Sequence, residues 1–210
     1  MQGLDREASG KIRISVDPMT GHFLLAPVFA EFCRIYPQVE LEISLTFAIE
    51  QISKLETDIA IRHAAEITDD VVARKLQPLP ISVCASRDYI ATHLPKAGKK
   101  GKGLSFIGYG PIPEMTAFIS ASAFPDATVR HQCIDPEMHL HLVRAGAGMS
   151  FLPHWTLQKF PELQRVPGGV PDTSRSTWVV YHEDLRRLRR VRIFVDFLAQ
   201  SLISLAREAR

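Results

Sequence analysis

The chain has 210 residues, 46% hydrophobic and 23% charged, which is the balance of an ordinary globular protein rather than of a disordered or membrane-embedded one. Its 25 basic and 23 acidic side chains leave a formal net charge of +2, so no strong overall field attracts it to nucleic acid or to a membrane surface. The three cysteines are far apart and form no C-x-x-C pair, which together with the charged first residues favours reduced thiols in the cytoplasm.

Strand and helix patterns alternate from Gly10 onward, which predicts an α/β fold with a largely parallel sheet. Alternating apolar and polar residues predict half-buried strands at 11–16 and 39–45, and a third strand follows at 57–62. An amphipathic helix with a four-residue apolar repeat separates the first two strands, and Pro27 either kinks it or marks the start of its main part. The repeat consists of Leu24, Val28, Phe32 and Tyr36. A short helix is predicted at 49–56.

The long extended run over residues 71–86 suits a crossing from one lobe to another. The elements predicted after it are a helix at 87–94, a strand at 104–108, a helix at 114–121, a strand at 127–134, a helix at 135–145 and a strand at 149–152. A strand at 176–182 is predicted to return to the first lobe. The last helix follows, with Val191, Phe194, Val195, Leu198, Leu202 and Leu205 at spacings of three and four.

Residues 131–155 contain four of the eight histidines. His139 and His141 are about 200° apart around a predicted helix, so they point to opposite sides and do not share a metal ion. His131 and Cys133 share one face of a predicted strand and form, with Asp135, at most half of a metal site. We therefore favour polar residues that line a cleft or fill the structure, and predict no metal ligand.

No catalytic or nucleotide-binding motif is present, so the sequence predicts no catalytic residue and no cofactor. Two basic runs, at residues 99–102 and 186–192, lack interleaved aromatic residues and are interpreted as solvated surface charge.

Taken in order, several stretches resemble the effector-binding domain of LysR-type transcriptional regulators over nearly the whole chain. They are GKIRIS, LLAPVFAEFCRIYPQVELEI, TDIAIRH, LPISVCASRDYIATH, LVRAGAGMSFLPHW and WVVYHEDLRRLRRVRIFVDFLAQSL. The resemblance implies a two-lobed periplasmic-binding-protein-like fold, in which two Rossmann-like subdomains are joined by crossover strands and hold a small effector in the cleft between them. Subdomain I is then expected at residues 10–81 and 175–210, and subdomain II at 82–174.

In this family the domain follows a winged helix-turn-helix and a linker helix. Residues 1–9 resemble a remnant of that linker, so promoter DNA is expected to be bound only through a missing N-terminal domain. The domain is expected to sense a small polar effector, such as a carboxylate or an amino acid, and to form a homodimer, or a tetramer in the parent protein. The dimer is also suggested by Leu25, Phe29 and Cys33, which extend the apolar surface of the first helix beyond its main stripe.

The resemblance also implies the candidate effector-binding residues, which are the positions that match the family's cleft. Several of them lie at strand ends, where helix N-termini expose unpaired amide groups. The candidates are Met19, Thr20, Gly21, His63, Gly108, Tyr109, Cys133, Asp135 and Phe151. Thr20 is the most suitable hydroxyl, and Thr20→Val is expected to weaken effector binding with little effect on stability. Two other functions remain open at this point, a solute-binding protein of the same fold and an enzyme.

Overall fold

The computed structural model describes residues 8–46, 57–68, 71–109 and 113–208. The chain forms two compact units, one ending at Pro78 and resuming at Ser174, and the other running from Leu79 to Thr173. The sequence placed the divisions after residues 81 and 174. The helix predicted at 49–56 and most of the predicted linker remnant lie outside the described residues.

Unit 1 contains a five-stranded sheet in the order β2-β1-β3-β10-β4. Its strands are β1 (Gly10–Val16), β2 (Val39–Leu45), β3 (Ile59–Ala64), β4 (Val72–Pro78) and β10 (Ser176–Tyr181). β1 is parallel to β2 and β3, whereas β10 is antiparallel to β3 and β4. Because β3 and β4 are both antiparallel to β10, β4 runs in the same direction as β1, β2 and β3. The sheet of unit 1 is therefore largely parallel, as predicted, and β10, the strand that returns from unit 2, is the reversed one.

The first helical segment is built in three parts that surround the proline. A single turn, α1 (Pro18–Thr20), leads into a π-helical stretch (Gly21–Leu25) and then into the regular helix α2 (Ala26–Ile35). Pro27 lies at the start of α2, where its missing amide hydrogen leaves no bond unmade. Of the two alternatives, the proline thus marks the start of the main helix.

The core of unit 1 is made by α2 and the last helix, α7 (Arg189–Glu208), packed on the sheet. The Phe32 ring meets that of Phe194 edge to face, with centroids 5.0 Å apart. Leu25 and Phe29 are also buried in this core. They were interpreted as interface residues, but the core accounts for both, and of the three only Cys33 is exposed.

Two predicted apolar faces are only partly buried. β2 is an edge strand, and Ile43 and Leu45 are 41% and 39% exposed, so its alternating pattern does not correspond to a half-buried strand. On α7, the predicted stripe is buried from Val191 to Leu202, but Leu205 is 37% exposed. Sequence periodicity identified both elements correctly and overestimated how far the core extends along them.

Unit 2 contains a three-stranded and a two-stranded sheet. The first has the order β8-β5-β9, all antiparallel, and is formed by β5 (Ile81–Ser86), β8 (Ser150–Pro153) and β9 (Leu163–Arg165). The second pairs β6 (Ser105–Gly108) with β7 (Thr128–Gln132) in parallel. The helices are α3 (Arg87–His93), α4 (Pro113–Ala121), α5 (Pro136–Arg144) and α6 (Trp155–Lys159). The sequence did not predict β9.

Helix α5 begins and ends at the residues that its sequence indicates. The Asp135 side chain accepts a hydrogen bond from the Met138 amide, with Oδ1 and N 2.7 Å apart, and Pro136 occupies the first helical position. After the helix, Gly146 adopts φ +81°, a conformation that favours glycine. Asp135 and Gly146 thus mark the two ends of α5.

Candidate functional site

In unit 1, four polar side chains meet at the carboxyl ends of β1 and β3. The Nε2 atom of His63 lies 2.8 Å from Thr20 Oγ1 and 2.9 Å from Asp17 Oδ2. Its Nδ1 atom lies 3.3 Å from the hydroxyl of Thr177, which pairs directly with His63 across β3 and β10. We call these four residues the His63 cluster. It brings together two residues that the sequence nominated separately, Thr20 and His63.

The His63 cluster holds a carboxylate in a largely buried position. Burial raises the pKa of Asp17, but hydrogen bonds from His63 and from Thr20 outweigh it, so the pKa is lowered overall. Asp17 is therefore ionised at neutral pH and orients the histidine ring. Because Thr20 is only 1% exposed, its hydroxyl contacts the protein in this conformation, whereas the side chain of His63 is 16% exposed.

Met19 and Gly21, the two other candidates in unit 1, are both buried. A Cβ atom added to Gly21 would lie 2.5 Å from Leu45 Cδ2 and 3.2 Å from Val16 Cγ1. Gly21 therefore allows the π-helical stretch to pack closely against β1 and β2. This packing explains the glycine without a ligand.

In unit 2, three candidates meet where β6 and β7 end and α5 begins. The amide of Cys133 donates to the carbonyl of Gly108, with N and O 2.9 Å apart, and its thiol lies 3.5 Å from the carbonyl oxygen of Asp135. Asp135 itself caps α5. The strand β7 ends at Gln132, so Cys133 follows the strand on which the sequence placed it.

The two aromatic candidates of unit 2 contact different partners. The ring of Tyr109 packs edge to face against His139, with centroids 4.7 Å apart. Phe151 stacks on Phe106, with centroids 5.3 Å apart, and adjoins the apolar core of the unit. Tyr109 thus extends the group at the end of β6, whereas Phe151 contributes mainly to packing.

His139 is a buried polar residue for which the sequence assigned no role. It is 1% exposed, and its Nε2 atom lies 2.9 Å from Ser150 Oγ, while its Nδ1 atom has no hydrogen-bond partner among the described residues. Burial lowers its pKa to about 4, so the ring is neutral at physiological pH. His141 is exposed, as expected for a residue on the opposite side of α5.

The arrangement provides little for catalysis or for metal binding. Serine and histidine pair twice in unit 2, as Ser150 with His139 and as Ser82 with His154. The first pair is buried, and among the described residues neither histidine forms an ion pair with an acidic side chain. Burial raises the pKa of Cys84 to about 12, so its thiol stays protonated. Within residues 8–46, 57–68, 71–109 and 113–208, no group of three or more His, Cys, Asp or Glu side chains is placed to hold a metal ion.

Sequence reasoning missed Thr177 and the role of His139. Thr177 is 114 residues from His63, and no local pattern indicates that β3 and β10 are neighbours. For His139, its position on the same helical face as Leu140 and Val143, both buried, was the available signal.

A family model described as the LysR substrate binding domain matches residues 5–203. The chain belongs to this family. The match covers both units, so the regulatory-domain interpretation of the sequence is confirmed. In the part of the chain that the structure describes, no helix is long and apolar enough to cross a membrane.

Relatives of this LysR substrate-binding domain include the probable HTH-type transcriptional regulator LtrA of Klebsiella pneumoniae, 23% identical over 94% of the chain and 68% of LtrA. The HTH-type transcriptional regulator CrgA of Neisseria meningitidis is 29% identical over 90% of the chain and 67% of CrgA. The chain thus spans about two thirds of the length of these regulators. Both relatives are regulators, which favours a regulatory domain over a solute-binding protein.

Solved structures confirm the two-lobed fold expected for a LysR substrate-binding domain. The CrgA regulatory domain from Neisseria meningitidis matches with a TM-score of 0.77 and 22% identity over 92% of this chain and 99% of that one. The AmpR effector binding domain from Citrobacter freundii matches with a TM-score of 0.68 and 18% identity over 93% and 100% of the two chains.

Proposed function

We propose that this LysR substrate-binding domain senses a small polar effector through the His63 cluster. The observation that carries the proposal is the meeting of an ionised carboxylate, two hydroxyl groups and a partly exposed imidazole at the carboxyl ends of parallel strands. In α/β sheets this edge is the usual place for ligands. Effector binding would shift the population of regulator conformations toward one that alters the attached DNA-binding part.

The charges of the cluster restrict the chemistry of the effector. Asp17 is a fixed anion and favours a ligand that carries an ammonium or another hydrogen-bond donor. The imidazole of His63 can donate to a carboxylate if its present contacts rearrange. A small molecule with both groups, such as an amino acid, would satisfy both sides of the cluster. In unit 2, we propose Gly108, Tyr109, Cys133 and Asp135 as further contacts.

A thermal-shift screen with matched ligands tests the class of effector. Each set contains an amino acid, the carboxylic acid that lacks its amino group, and the amine that lacks its carboxylate. A ligand that binds only the folded state raises the melting temperature as its concentration increases. At one hundred times its dissociation constant it adds about 2.7 kcal/mol to the free energy of unfolding. We expect the amino acid of one set to give a larger shift than either of its halves.

The variant His63→Gln identifies the site of any positive ligand. We expect the ligand-dependent shift to disappear in His63→Gln and to persist in His182→Gln, a histidine of the same unit that also lies beside an aspartate, Asp184. Each shift is measured against the ligand-free melting temperature of the same variant. A full shift in His63→Gln would exclude the cluster from the effector site.

We also propose that the domain forms a homodimer. Both units expose apolar side chains on their surfaces. In unit 1 these are Ile35, Ile43 and Leu45, and in unit 2 they are Val129, Ile134 and Met138. Strand β2 is an edge strand, so its unpaired backbone groups and exposed side chains together suit pairing with a second copy.

Light scattering of variants tests the dimer. We expect a mass of about 47 kDa, twice the 23.5 kDa of one chain, at concentrations in the tens of micromolar. A lysine at position 43, Ile43→Lys, should shift this mass toward that of a monomer. The control Val170→Lys also places a lysine on an exposed apolar residue, which is 86% exposed, and should leave the dimer intact. A wild-type monomer under these conditions would contradict the proposal.

We propose that the protein acts in the cytoplasm and is not an enzyme. Its relatives are transcriptional regulators. Ser150 and His139, which resemble part of a catalytic triad, are 2% and 1% exposed, so a substrate does not reach them in this conformation.

A further inference from the structure

The turn before α7 and the start of that helix carry a concentration of arginine that has no part in the His63 cluster. Five arginines lie within residues 186–192, whereas the acidic residues of the adjoining turn are only Glu183 and Asp184. The five are Arg186, Arg187, Arg189, Arg190 and Arg192. The local charge is therefore strongly positive in a chain whose net charge is only +2.

Not all of these charges are neutralised by neighbours. Arg186 forms an exposed ion pair with Glu183, at 3.2 Å, and Arg190 donates to the carbonyl of Lys11. Asp184 lies beside His182 instead. Arg187 and Arg192 are exposed and have no acidic partner among the residues that the structure describes. These two guanidinium groups are available to an external anion.

Helix stability does not explain this composition. The first turn of α7 contains no acidic residue, although acidic side chains are favoured at the positive end of the helix dipole and basic ones are disfavoured. Arginine rather than lysine occupies all five positions, and the planar guanidinium group matches a phosphate with two parallel hydrogen bonds.

We propose that the exposed arginines of residues 186–192, chiefly Arg187 and Arg192, bind the phosphate backbone of DNA without reading its sequence. The proposal rests on the assignment of the chain to a DNA-binding regulator, because tethering to a DNA-bound part makes a weak contact effective. It is compatible with the expectation that specific promoter recognition belongs to the other part of the regulator, since phosphate contacts position a protein and carry no sequence information.

Fluorescence anisotropy with a labelled duplex of unrelated sequence tests the proposal on the chain as it stands. We expect binding that weakens with salt, with a dissociation constant in the range typical of non-specific contacts, about 10⁻⁴–10⁻⁶ M. The double variant Arg187→Gln/Arg192→Gln should reduce the slope of log K against log salt by about 1.8, because each phosphate contact contributes about 0.9.

The control Lys99→Gln/Lys102→Gln removes the same charge from an exposed loop of unit 2 and should leave the slope unchanged. Equal losses in both double variants would show an effect of net charge alone and would overturn the proposal. Absence of binding by the wild-type chain at 50 mM salt, about the low end of the usual titration range, would also overturn it. Tighter binding to polyglutamate than to the duplex would assign these arginines to an acidic protein instead. None of these binding measurements involves the effector, so the effector-sensing proposal stands or fails separately.

Discussion

We predict that His139 makes unit 2 sensitive to acid. In the unfolded chain a histidine has a pKa near 6.5, whereas burial lowers the pKa of folded His139 to about 4. Between these values the unfolded state binds more protons than the folded state, so stability falls as the pH falls through this window. Above pH 6.5 the contribution is constant, and below about pH 4 the loss is complete.

The size of the effect follows from the displacement of the pKa. A difference of about 2.5 units corresponds to about 3 kcal/mol, of which about 2 kcal/mol should be lost by pH 5. Contacts support this order of magnitude, because the imidazole is 1% exposed and packs against Tyr109 and Ser150, neither of which is an anion at these pH values. The facing strand β5 adds only the neutral thiol of Cys84 and serine hydroxyls.

Urea unfolding between pH 7 and pH 4 measures the effect. Trp155 and Trp178 lie in different units, so a Trp178→Phe background makes tryptophan fluorescence report on unit 2. In this background we compare the wild-type residue with His139→Gln, which does not titrate and retains an amide close to Ser150. From pH 7 to pH 4, the free energy of unfolding of the protein with His139 should fall by about 3 kcal/mol relative to that of His139→Gln.

The exposed histidine of the same helix provides the control. His141→Gln changes an exposed histidine and leaves buried His139 in place, so it should retain the wild-type pH dependence. Parallel pH curves for the wild type and His139→Gln would refute the reasoning. If the pH dependence of the free energy of unfolding were flattened in His141→Gln as well, the effect would come from overall charge.

Three further predictions follow from single contacts. Thr20→Val should lower the free energy of unfolding of unit 1 by about 1 kcal/mol, because the imidazole of His63 loses its hydroxyl partner, and an unchanged urea midpoint would contradict this. This replaces the expectation from sequence that the substitution affects binding alone. Asp135→Ala should destabilise unit 2 by about 1 kcal/mol through loss of the helix cap, whereas Asp135→Asn should have a much smaller effect. Gly148→Ala should also destabilise unit 2, since the added Cβ would lie 2.9 Å from the Ser105 carbonyl oxygen, and circular dichroism melting would detect it.

Much of the candidate site was predictable where the signal was local. The helix predicted at 135–145 corresponds to α5, which Asp135 caps and Pro136 begins, and both signals act within a single turn. Thr20 and His63 were each nominated because they follow predicted strands. Their contact at 2.8 Å depends on β1 and β3 being parallel neighbours, which alternation within each strand does not specify.

The sequence by itself determined most of the succession of strands and helices, because periodicity, caps and prolines act over a few residues, although it did not indicate β9. Through its resemblance to a known family it also indicated the two-unit fold. Tertiary structure alone decided which polar groups meet. Thr177 reaches His63 only because β10 pairs antiparallel with β3 across 114 residues of chain. It also decided that β2 lies at an edge, where Ile43 remains exposed despite a pattern that indicates burial. A side chain's surroundings depend on which strands become neighbours, and long-range pairing leaves no local trace in the sequence.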